Sequence, residues 1–127
     1  MSEEQVLKRK ILVLESEKLN LQDGFSPAKE KEVLNKISGA FYKERDLVEE
    51  DASLKQIIPY VAMFKDDKIL TYERSRAGVE SRLYNQWSLG VGGHIDEPDD
   101  LFQATLREIE EEIGVRIQKD NLKIHGF

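Results

Sequence analysis

Between Asp100 and Gly114 the sequence marks both ends of a helix and gives it two unlike faces. Asp100 and Gln103 stand at capping-box spacing, Pro98 marks the way in, and Gly114 is a natural stop. Phe102, Leu106, Ile109 and Ile113 fall at i, i+4, i+7 and i+11, one apolar stripe that predicts a helix over Leu101–Ile113 docked on a core. Glu108, Glu111 and Glu112 fall at i, i+3 and i+4, so three carboxylates gather near one side of the same helix. Like charges at that spacing repel and cost an isolated helix some tenths of a kcal/mol per pair, roughly. A hard divalent cation, which takes oxygen ligands, is the natural compensation. A solvated face is the ordinary reading of three glutamates. The glycines upstream, Gly90, Gly92 and Gly93, let backbone approach a ligand closely and offer a carbonyl, but by themselves they read as a plain turn and count only with the wider pattern around them.

The rest of the chain must supply what that helix packs on. Its 127 residues suit one domain, and 39% hydrophobic with 35% charged residues allows a real core. A formal charge of −6 argues against general nucleic-acid binding, which needs Lys/Arg patches. With no cysteine, thiolate metal sites, thiol nucleophiles and disulfides are excluded. The acidic start Met1-Ser2-Glu3-Glu4 lacks the features of a secretory signal, and Ile57–Phe64, interrupted by Pro59, is too short to span a bilayer. The expectation is a cytoplasmic protein with no membrane partner.

Two unequal parts are expected. In residues 1–55, Ile11-Leu12-Val13-Leu14 reads as a strand, Asp23–Pro27 as a turn, Ala28–Val48 as a charged helix-permissive stretch, and Lys43–Asp51 as a solvated connector. From residue 56 the texture changes. Ile57–Phe64 predicts a buried strand, Asp66-Asp67 a turn, and Lys68–Tyr72 its hairpin partner. Trp87-Ser88-Leu89 leads into the strand and glycine turn at Gly90–Gly93, and Leu122–Ile124 reads as a last strand.

At Gly93–Val115 the sequence resembles the Nudix box of the Nudix hydrolases. Gly93, Arg107-Glu108-Ile109, Glu111-Glu112, Gly114 and Val115 all stand at the motif's spacing, with Asp99 in place of its first Glu. The resemblance implies an α/β protein of the Nudix α/β/α sandwich type, over residues 56–127. It implies a Mg²⁺- or Mn²⁺-dependent pyrophosphohydrolase whose small-molecule substrate is a nucleoside diphosphate derivative or similar organic diphosphate. By the same resemblance Glu108, Glu111, Glu112 and a Gly93 or Gly92 carbonyl hold the metal, and Glu108 and Glu111 take part in catalysis. Asp99, Arg107 and Gly114 become structural, the first two as a brace between loop and helix. The alternative is a Nudix-type module that binds a ligand without turnover. Family domains usually run on through further strands and a second helix, so truncation is expected ahead of completion by residues 1–55 or a second copy in a homo-oligomer.

Outside the box the candidates are weaker. Arg74, Arg76 and Arg82 are placed to hold substrate phosphate, with Gly92, against plain solvation and an Arg82–Glu80 pair. Tyr84 and Trp87 read as core ahead of base-stacking residues, and His94 as structural ahead of catalytic.

Overall fold

A computed structural model describes residues 2–73 and 86–127. The first element is a short helix, α1 (Glu3–Lys8), capped by Ser2 and Gln5 in a reciprocal pair of hydrogen bonds. Strand β1 (Lys10–Glu15) follows where the sequence predicts it, and its Ile11, Val13 and Leu14 are buried. After α2 (Ser16–Leu19) and α3 (Glu30–Lys36) come β2 (Phe41–Glu44), α4 (Arg45–Glu49) and β3 (Leu54–Gln56). The three strands form an antiparallel sheet ordered β2-β1-β3, with Leu12 opposite Tyr42 and Leu14 opposite Lys55.

The stretch Ala28–Val48 is therefore not continuously helical. Gly39 interrupts it, and Phe41-Tyr42, aromatic residues that suit a pleated surface, continue as a strand on the β1 edge. Nor is Lys43–Asp51 only a connector. Val48, on α4, packs with Ile11, Val13 and Leu54 in the main apolar cluster.

Beyond β3 the strands are short: β4 (Tyr60–Ala62), β5 (Phe64–Lys65), β6 (Lys68–Ile69), β7 (Tyr72–Glu73), β8 (Trp87–Ser88) and β9 (Gly90–Gly92). The β5–β6 hairpin turns at Asp66-Asp67 as expected, with Asp66 at a positive φ of 56°. The expected buried strand over Ile57–Phe64 is instead broken, and it is covered on one face only. Pro59 interrupts it, and exposed Ile58, Tyr60, Ala62 and Phe64 alternate with half-buried Ile57, Val61 and Met63.

Helix α5 (Leu101–Ile113) has the predicted bounds, with the Asp100/Gln103 capping box formed and Gly114 at φ 77° closing it. Its core-facing side is rotated from the expected stripe. Ile109 is fully buried, but Ala104 and Thr105 are its companions, while Phe102, Leu106 and Ile113 are half-exposed. The helix contacts β9 directly, and its buried side carries the small Ala104 and Thr105. Leu122–Ile124 is no strand either. A 3₁₀ turn at Lys119–Asn121 precedes it, and the chain end pairs Gly126 with Pro27 in a single bridge. Among the described residues no helix is long and apolar enough to cross a membrane.

Candidate metal and catalytic site

Strand β9 delivers the glycine loop, and α5 rises behind it. Val91 and Ile95, buried on either side of Gly92-Gly93-His94, pin the loop to the core. Gly93 then faces the carboxylate of Glu108 so closely that a Cβ at position 93 would stand 2.6 Å from Glu108 Cδ. The loop and Glu108 are thus in contact.

Partial burial pushes the Glu108 carboxyl above its ordinary value, and the charges of Glu111 and Glu112 add to this. Arg107 opposes the shift, and Asp96 contributes to it. Glu111 and Glu112 are themselves exposed. Among the described residues no three Asp, Glu or His side chains converge into a ready-made ion cage. A loose set of carboxylates still fits Mg²⁺, which keeps several waters and takes one or two carboxylates beside substrate oxygens. The donors are all hard oxygens, and the missing side chain at Gly93 leaves the Glu108 oxygens open to the loop.

Asp99 and Arg107 are joined by an ion pair between Asp99 Oδ2 and Arg107 Nη1. On its other side Arg107 Nε lies 3.9 Å from Glu111 Oε1, so one guanidinium links the loop to a box glutamate. Gly114 is the C-cap of the helix, its N–H donating to the Glu110 carbonyl. Arg74, Arg76, Arg82, Glu80 and Tyr84 lie outside the described residues. Trp87, expected in the core, is 70% exposed, and its strand partner is Glu73. His94 is half-buried in the loop itself.

Two further residues reach this site without being singled out by the sequence. Asp96 lies near enough to Glu108 to influence its charge, and Arg9 Nη1 approaches it at 3.4 Å. In the run Asp96-Glu97-Pro98-Asp99-Asp100 the motif and capping-box spacings mark Asp99 and Asp100, but nothing marks Asp96 over Glu97. Tyr42, on β2, donates its hydroxyl to the Asp99 carbonyl at 2.5 Å. No local pattern in the sequence announces a contact across 57 residues.

Fold and site together define an α/β protein that sets an acidic helix behind a glycine loop. The Nudix domain model matches residues 55–127. Protein YmaB of Bacillus subtilis (strain 168) is 37% identical over 112 residues, covering 81% of this chain and 54% of YmaB. The solved structure "Crystal structure of Tm1382, a putative Nudix hydrolase" matches with a TM-score of 0.60 and 31% identity, over 83% of this chain and 56% of that one. The chain belongs to the Nudix family, and its α/β fold is of that kind. It spans a little over half the length of these two relatives.

Proposed function

We propose that the chain carries the metal-binding and catalytic helix of a pyrophosphohydrolase that cleaves a diphosphate linkage in a nucleoside diphosphate derivative or similar organic diphosphate. The observation that carries this reading is the contact between the Gly93 loop and a Glu108 carboxylate whose pKa is raised. Such a carboxylate is poorly solvated as an anion and gains from a nearby cation. Glu108 and Glu112, with a Gly93 or Gly92 carbonyl, would hold Mg²⁺ or Mn²⁺. The bound ion supplies charge neutralisation of the phosphoryl oxygens and a more acidic water. Glu111, exposed and 3.9 Å from Arg107, is available to accept a proton from attacking water. Water attacks phosphorus, the bridging P–O bond breaks, and the bridging oxygen leaves with the other phosphate.

The test is a panel of substrates with Mg²⁺ and the full chain: nucleoside diphosphate sugars, dinucleoside polyphosphates, NADH, ADP-ribose and nucleoside triphosphates. Turnover of one diphosphate class, lost in Glu112→Gln, is expected. Turnover that is unchanged by Glu112→Gln or by chelation would sink the assignment. A second reading, a ligand-binding module without turnover, draws on the absence of a converged cage among the described residues. Nucleotide binding with no hydrolysis across the whole panel would establish it instead.

A further inference from the structure

Everything before residue 55 lies outside the matched domain, yet it holds the loop that leads into α5. The near half of that loop is tied by backbone. Leu12 N–H donates to the Ile95 carbonyl at 2.8 Å, Glu97 N–H donates to the Lys10 carbonyl at 3.0 Å, and Ile11 bridges Asp96. The far half, Pro98 to Asp100, receives a side chain instead. Tyr42 O–H donates to the Asp99 carbonyl at 2.5 Å, within the short range for such bonds.

That carbonyl stands one residue ahead of the helix N-cap. The Asp100 carbonyl is the first that the helix itself uses, accepting from Ala104 N–H, so the one before it needs a partner from elsewhere. Tyr42 is well placed to be a fixed one. It lies opposite Leu12 in the β1–β2 ladder, which sets the ring's origin, and it is half-buried. Asp99 in turn grips Arg107 through its carboxylate, and Arg107 reaches toward Glu111.

We infer that Tyr42 is a positioning residue for this site: its hydroxyl fixes the Asp99 peptide, and through the Asp99–Arg107 pair it fixes the register of Glu108 and Glu111 against the glycine loop. The inference rests on the metal-dependent reading above, for which a correctly spaced carboxylate set is the requirement. Groups that orient metal ligands without touching the ion commonly change affinity or activity by about tenfold or more. A merely structural tyrosine would change melting temperature and nothing else.

The experiment uses Tyr42→Phe in the full chain, which deletes one oxygen and keeps the ring. Mn²⁺ binding is followed through the electron paramagnetic resonance signal of the free ion, well below the melting transition and with folding checked by circular dichroism. The expected result is Mn²⁺ affinity weakened by about tenfold, kcat reduced with KM little changed, and a melting temperature lowered by only a few degrees. In an Asp99→Ala background, Tyr42→Phe should add almost no further loss of Mn²⁺ affinity, because the path through Arg107 is already cut. Unchanged Mn²⁺ affinity in Tyr42→Phe overturns the inference, as does the same loss in both backgrounds. If the unsubstituted chain binds no Mn²⁺ at all, the metal-dependent reading falls and this inference with it. Wild-type binding with an unaffected Tyr42→Phe sinks the inference alone.

Discussion

The carboxylate of Glu108 occupies the space that a side chain at residue 93 would need. A Cβ there would lie 2.7 and 2.9 Å from the two Glu108 oxygens, closer than real contacts allow. Gly93 is not among the glycines with positive φ, so alanine meets no backbone strain at this position. What it meets is the free end of a flexible side chain, which can swing away. Gly93→Ala should therefore cost under about 1 kcal/mol of stability while displacing Glu108 and removing most of the proposed hydrolase activity and of any Mg²⁺-induced rise in melting temperature. Gly92→Ala should behave differently, since its Cβ would stand 2.9 Å from the Pro59 carbonyl, which is backbone. It should lose more stability than Gly93→Ala. Thermal melts of the two variants with and without Mg²⁺ separate these effects, and equal losses of stability would contradict them.

The rotated burial of α5 gives a second prediction. Ile109 is fully enclosed, so Ile109→Ala should cost about 2–5 kcal/mol, the usual price of a core truncation. Leu106, one turn away on the expected stripe, is half-exposed, and Leu106→Ala should cost clearly less. Ala104 has no exposed surface, so Ala104→Leu should overpack the core on the buried side of α5 and cost about 1–3 kcal/mol. Urea titrations of the three variants rank them. A Leu106→Ala loss as large as that of Ile109→Ala would mean the helix docks on the apolar stripe after all.

The helix was legible because its information is local. Asp100, Gln103 and Gly114 specify both ends within fifteen residues, and the box spacing from Gly93 to Val115 carries the family by itself. The face it buries was not legible, because apolar count favours Phe102 and Leu106 whereas the docked helix buries the small Ala104 and Thr105 beside Ile109. The same limit governs β2. Phe41–Glu44 becomes a strand by pairing with β1, a non-local event that the surrounding Lys and Glu conceal. Asp96 and Tyr42 reach the site through sheet pairing and a long-range hydrogen bond, for which no spacing rule exists.

The ionisation of Glu108 gives the last prediction. Its carboxyl is raised above the usual glutamate value of 4.5, chiefly by burial and then by Glu111 and Glu112. Between the unfolded and folded values the native state thus binds more protons than the unfolded chain, and stability must fall as pH rises through that window. The favourable contribution is fully present below the unfolded value and lost above the folded one, which leaves a repulsive charge at neutral pH. A bound cation relieves that charge, so Mg²⁺ should raise the melting temperature at neutral pH and lose this effect as Glu108 becomes protonated in acid. Glu108→Gln removes the charge without changing the side chain's shape. The metal-free variant should melt at or above the wild-type temperature at neutral pH, and its Mg²⁺ response should shrink at every pH. Differential scanning calorimetry from acid to neutral pH, with Mg²⁺ and with chelator, reads both effects. A metal-free Glu108→Gln protein that melts well below wild type at neutral pH would show that the Glu108 charge is already compensated within the chain, and that no cation is needed to settle it.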